Sequence, residues 1–202
     1  MATPVEPELL ESLPPTGPLP RAERQEAILR GAARAFARTG YVGTSMEDIA
    51  AASGITKLIV YRHFDSKEEL YRAVLQRVFD RLAEEFVIGY SRGAGGVGAR
   101  SLLTVAREDP DGFQLLWRHA AREPRFADYA RELRERSVDA SRALLGGQVA
   151  ADLHEWAAHT IVDYLVEAVL NWLEYGDPSR DEEFVGLVTA GARAGVRAWT
   201  AD

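Results

Sequence analysis

The chain has 202 residues, 47% of them hydrophobic, a formal net charge of −7 and no cysteine. That length and apolar content suffice for one or two packed domains, while the missing thiols exclude disulfides, thiol catalysis, thiolate zinc sites and thiol redox sensing. There is no run of about 18 apolar residues, and no charged start leads into an apolar stretch, so neither a membrane span nor a secretion signal is expected and the expected compartment is the cytoplasm.

Residues 1–20 hold six prolines and three glutamates with no positive charge, a composition that reads as a disordered tail. From Arg21 onward Ile28, Ala32, Ala35 and Phe36 recur at helical spacing, so the first helix is expected to end at Gly40, where a C-cap glycine belongs. Ser45 and Asp48 have the spacing of a capping box for a short helix closing at Gly54. Thr56 is placed to cap a third helix through Phe64, and Ser66 with Glu69 opens a long fourth one striped by Leu70, Val74, Leu75, Val78, Leu82 and Phe86. The run "GYSRGAGGVG" is the strongest punctuation in the chain and places the connection between two units near or just before it.

Beyond that run every segment has helical period. Helices are expected over 99–107, 112–122, 126–145, 149–175 and 180–200, separated by "EDPDG", "EP", "GG" and "GDPS". Nothing alternates with period two between turn signals, so no sheet is expected. The expected fold is all-α: a tail over 1–20, an N-terminal three-helix helix-turn-helix unit over 21–66, and over 67–202 a linking helix with a C-terminal ligand-binding and dimerisation bundle.

Two short helices around one glycine, braced by a preceding helix, make a helix-turn-helix, whose second helix enters the DNA major groove. The overall charge argues against a nucleic-acid partner until its distribution is read. From Arg21 to Asp80 ten basic residues face eight acidic ones, giving +2 and leaving −9 for the rest. Three helix starts carry hydroxyls (Thr44 and Ser45, Thr56, Ser66), two of them with a lysine (Lys57, Lys67), a chemistry suited to phosphate and equally to plain capping. "YRH" at 61–63 then follows on the side of the third helix opposite Ile55, Val60 and Phe64.

Taken whole, "GYVGTSMEDIAAASGITKLIVYRHFDSKEEL" resembles the DNA-binding signature of TetR-family transcriptional regulators over about 30 contiguous residues. The resemblance implies a homodimer that sets two reading helices in successive major grooves of double-stranded operator DNA and holds a small-molecule effector in its C-terminal domains. Carried over by position, Thr44 and Ser45 match a hydroxyl pair before the second helix, Lys57 a base or phosphate contact, Tyr61 and His63 phosphate contacts, and Lys67 the lysine opening the fourth helix. Arg62 lies among them, and Thr56 starts the reading helix. Leu58 and Ile59 depart from the pattern, which has glycine and then a small or polar residue. They stand either against thymine methyl groups or against a neighbouring helix.

In the C-terminal region Phe113, Leu116 and Trp117 share one helical face, Phe126 and Tyr129 open the next helix, and Trp156, Thr160 and Tyr164 share a face of a later one. These are the candidates for an effector pocket, although such a stripe is also ordinary core. His159, Asp163 and Glu167, with His119 from another helix, offer a divalent-metal set, a polar ligand contact, or a rim paired with arginines. The rim is the preferred reading, and no metal or cofactor is expected. Gly191 and Gly195 on the last helix allow close helix packing, in a two-fold interface of the last two helices or within one subunit. No enzyme motif is present. The expected function is a ligand-responsive DNA-binding regulator, a repressor released from its operator by a small, largely apolar molecule. The alternative is a helical interaction protein that has lost specific DNA readout.

Overall fold

The computed structural model describes residues 20–200, so the tail expected over 1–20 lies almost wholly outside the described residues. Nine helices and no strand occur among them. They are α1 (Arg21–Gly43), α2 (Met46–Ser53), α3 (Lys57–His63), α4 (Lys67–Ser91), α5 (Val97–Glu108), α6 (Pro110–Gln114), α7 (Ala127–Leu145), α8 (His154–Tyr175) and α9 (Asp181–Ala198). A π turn over Leu115–His119 and a 3-10 turn over Ala120–Arg122 prolong α6.

The reading head folds for the reasons its sequence announces. Ser45 accepts from the Asp48 N–H at 3.1 Å while its own N–H donates to Asp48 at 2.8 Å, completing the capping box. Gly54 ends α2 at φ +65°, which a side chain would disfavour. The helical conformation of α1 is interrupted at Gly40, where φ is +72°. α1 crosses α2 at Gly31, where a Cβ would run into the backbone of Ser53. Ile28, Ile49, Val60 and Leu70, none of them exposed, bring α1, α2, α3 and α4 to one core.

An aromatic cluster fastens this head to the body. Tyr71 of α4 stacks on Phe126 at 4.1 Å between ring centres and meets Phe36 of α1 edge-on at 4.9 Å; Tyr41 meets Phe126 at 4.8 Å. The Arg77 guanidinium joins Glu26 of α1 (2.7 Å) and Asp109, the N-cap of α6. α4 therefore belongs to both units: Leu70, Tyr71 and Val74 are head core, and its C-terminal half packs among α5, α7 and α8.

Two boundaries differ from the sequence expectation. α4 runs through Gly89, Tyr90 and Ser91, so the glycine run breaks the chain only from Arg92. α8 begins at His154 and not at Val149. Val149 is buried, the Ala150 N–H donates to the Trp199 carbonyl at 3.4 Å, and residues 150–153 form turns docked at the end of α9. Their apolar character serves that docking and not another helical turn.

Candidate nucleic-acid interface and body cavity

On α3 the side opposite Val60 is open. Leu58 is 63% exposed and Tyr61 44%; Arg62 and Lys57 are exposed beside them, while Ile59 and His63 are half-buried. The Thr56 hydroxyl makes no cap hydrogen bond and is exposed at the helix start. Burial, then the charges of Arg21 and Arg24, hold the His63 imidazole below its ordinary pKa. The charges of Arg21 and Arg24 at the start of α1 are thus felt at His63, the last residue of α3. Sequence reading left them out of the site because nothing local joins residues forty positions apart.

Three of the expected phosphate groups are engaged inside the protein. Thr44 is only 2% exposed, its hydroxyl 2.7 Å from the Gly40 carbonyl and 2.7 Å from the Thr39 hydroxyl. The Ser45 hydroxyl is bound to Asp48, whose carboxyl it holds below the usual range. The Lys67 ammonium donates to the carbonyls of Tyr41 (2.7 Å) and Thr44 (2.8 Å) and sits 4.4 Å from the centre of the Tyr41 ring. These groups shape the turn between α1 and α2, placing Val42, 82% exposed, on its rim. Lys57 is paired with Glu47 of α2, an exposed contact that raises the lysine and lowers the glutamate.

The body encloses an apolar cavity of about 190 Å³ between α4, α5, α7 and α8. Phe79, Leu82 and Phe86 wall it from α4, Leu102 from α5, Ser141 and Leu144 from α7, and Leu165 from α8. The π turn inserts Trp117 into the same wall. π turns interrupt regular helices at low cost and occur disproportionately at functional sites. The indole N–H of Trp117 and the hydroxyl of Ser141 are buried without a hydrogen-bond partner among the described residues.

Of the eight pocket candidates, Trp117 lines this cavity. Phe113 and Phe126 are wholly buried in core, and Leu116 is 4% exposed. The Tyr129 hydroxyl donates to Gln76 at 2.6 Å. Trp156 lies edge-on to Trp199 at 4.8 Å and is half exposed, Thr160 is half-buried, and Tyr164 is 41% exposed. The cavity is instead walled by residues one helical face away, with Ser101, Ser137 and Ser141 among them.

The polar stripe of α8 is a paired rim. His159 is 3.2 Å from Glu155, Asp163 pairs with Arg134, and Glu167 lies 3.7 Å from Arg118. His119 is exposed, its pKa lowered by desolvation and by Arg122 and Arg118. No group of three or more such side chains placed to hold a metal occurs among the described residues. Gly191 receives the Tyr164 hydroxyl and Gly195 the Trp199 ring, so both serve packing within the subunit. No helix among the described residues is long and apolar enough to cross a membrane.

Comparison with known proteins agrees with this geometry. Residues 28–74 match the family model of bacterial regulatory proteins, tetR family. The HTH-type transcriptional activator FasR of Mycolicibacterium smegmatis is 28% identical over 179 residues, covering 84% of this chain and 82% of the relative. The HTH-type transcriptional repressor AcnR of Corynebacterium glutamicum is 28% identical over 174 residues, covering 79% and 86%. In fold, a TetR-like transcriptional regulator from Rhodococcus sp. RHA1 superposes with a TM-score of 0.73 at 23% identity, over 89% of this chain and 98% of that one. The head thus matches the family model of bacterial regulatory proteins, tetR family, and the whole helical order is shared with the fold of such regulators.

Proposed function

We propose that the protein is a cytoplasmic, non-enzymatic transcription regulator that binds operator DNA as a homodimer and is released by a small, largely apolar effector, acting as a repressor. The observation that carries this reading is the double service of α4, which supplies head core with Leu70, Tyr71 and Val74 and cavity wall with Phe79, Leu82 and Phe86. A molecule that prefers one arrangement of that helix shifts the DNA-bound population by its difference in affinity for the two. Half-sites lie about 34–36 Å apart, so a small pivot of α4 in each subunit misplaces both reading helices.

On the DNA side, Leu58 points outward and offers an apolar contact to a thymine methyl, with Tyr61, Arg62, Thr56, Arg21 and Arg24 placed for phosphate. The partly exposed Trp156, Tyr164 and Leu187 of α8 and α9 mark the face through which two subunits associate. Selection of bound genomic fragments followed by salt titration tests the reading: a specific site should emerge, with log affinity falling linearly against log salt. Trp117→Ala should then blunt effector-induced release while ligand-free binding persists. An equal response in mutant and wild type would place the effector elsewhere.

A further inference from the structure

The apolar cavity opens into a second, wider one of about 610 Å³ bounded by α5, α7, α9 and the glycine run. Gly98, Ser141, Leu144, Ile161 and Leu165 line both, so they are two ends of one chamber. The ends differ in chemistry. The inner end is walled mainly by aromatic and aliphatic side chains, with Ser101, Ser137 and Ser141 among them and with Arg136, whose guanidinium is already paired with Glu132. The outer end has Arg193 and Arg197, one turn apart on α9, and not a single carboxylate among its described lining residues, in a chain with 31 acidic residues.

These two arginines, like Arg92 and Arg122, stand apart from most others of the body. Arg100, Arg107, Arg118, Arg125, Arg131, Arg134, Arg136, Arg142 and Arg180 each meet a carboxylate, whereas the guanidinium groups of Arg193 and Arg197 have no hydrogen bond or ion pair among the described residues. Glu182, in the neighbouring cleft that Arg193 also borders, is held by both terminal nitrogens of Arg100 at 2.5 and 2.8 Å. Two further features point the same way. The first turn of α5 faces the outer end through Val97, Gly98 and Ala99 and has no side-chain cap, leaving the positive end of that helix there. The Thr189 and Ser141 hydroxyls, buried on this lining, have no partner among the described residues, and Ser141, 7% exposed, sits where the two ends join.

We infer that the chamber takes an amphipathic anion whose apolar body fills the inner end and whose carboxylate or phosphate lies between Arg193 and Arg197. This inference rests on the effector-cavity reading above and adds the charge and orientation of the ligand. The size of the inner end supports a short acyl chain or single ring, since an apolar cavity of roughly 150 Å³ already takes benzene. An unpaired buried hydroxyl gains a full hydrogen bond when an acceptor arrives, and two guanidinium groups without competing carboxylates favour an anion over its neutral analogue.

Calorimetry on the full chain with decanoate, decyl phosphate, 1-decanol and inorganic phosphate tests it. Decanoate or decyl phosphate should bind about tenfold or more tighter than decanol, the value of one charge-assisted contact, and whichever is tighter identifies the head group. Arg193→Gln with Arg197→Gln should abolish that margin and leave decanol binding unchanged; the double lysine variant should retain most of it. Ala140→Phe, at the inner end, should weaken all three tailed probes. Equal binding of charged and neutral probes would overturn the anion site while leaving the apolar cavity standing. Inorganic phosphate binding as tightly as decyl phosphate would overturn the amphipathic ligand in favour of a free-anion site. If no tailed probe binds and Ala140→Phe leaves effector release intact, the cavity reading itself falls, and this inference with it.

Discussion

The reading head and the body solve polar burial in opposite ways. In the head the buried hydroxyl of Thr44 is bound on several sides, the half-buried ammonium of Lys67 has two carbonyls, and both serine N-caps, Ser45 of α2 and Ser66 of α4, are closed. In the body Trp117, Ser141, His154 and Thr189 each bury a polar atom with no partner among the described residues. A group that reads DNA gains from a single rigid arrangement. A group that must answer a ligand keeps interactions in reserve, and these unmade hydrogen bonds are a physical form of that reserve.

The comparison can be broken first at its seam. Phe126→Ala empties the ring that Tyr71 and Tyr41 pack on, and should cost about 3–5 kcal/mol in denaturant unfolding. Operator affinity should fall with it; a normal affinity in the folded variant would mean that head and body are not coupled through this cluster. Next, Lys67→Met leaves the Tyr41 and Thr44 carbonyls without their charged donor and should cost roughly 1.5–3 kcal/mol. Its salt slope on DNA should stay at the wild-type value, whereas a slope reduced by about one would restore Lys67 as a phosphate contact.

A matched pair sharpens the contrast. Thr44→Val should destabilise by about 1–2 kcal/mol, while Ser141→Ala, removing a hydroxyl that already lacks a partner, should be neutral or slightly stabilising. Thermal unfolding of the two side by side decides it, and equal losses would end the distinction. Arg62→Ala should weaken operator binding across all sequences and lower the salt slope by about one, with unfolding unchanged. The smallest effect concerns His63. Its folded pKa lies below the ordinary 6.5, so the unfolded chain takes up the proton first and stability falls as pH drops below about 6.5. Phosphate favours the protonated ring, so operator affinity should rise over the same window, and His63→Gln should flatten both curves.

The head was legible because its signals are local. The capping box at Ser45, the serine cap at Ser66, the left-handed glycine at Gly54 and the apolar spacing of Ile49, Val60 and Phe64 act within a few residues, and the structure keeps them all. What sequence could not give was which polar group turns inward: Thr44 and Lys67 have the chemistry of phosphate ligands and the geometry of internal ties. The cavity was illegible for a different reason. A pocket is made by what side chains fail to fill, so the bulky Phe113 and Phe126 that attracted attention are core, while the small Ser137, Ala140 and Ser141 of α7 leave the space. Val149 misled in the same sense, its apolar character belonging to a docked turn.

The pair between Lys57 and Glu47 carries a kinetic consequence. Where Lys57 meets DNA as the family resemblance implies, its ammonium is already held by the Glu47 carboxylate, so each landing on a duplex would begin with a contest between an internal anion and an external one. Exposed pairs of this kind contribute little and are screened by salt, too little to bar the operator but enough to shorten each stay on unrelated sequence. On that reading Glu47 would trim adhesion everywhere by the same small factor and leave discrimination to Leu58 and its neighbours, so that the search along a genome would run faster than the bare charge of α3 allows.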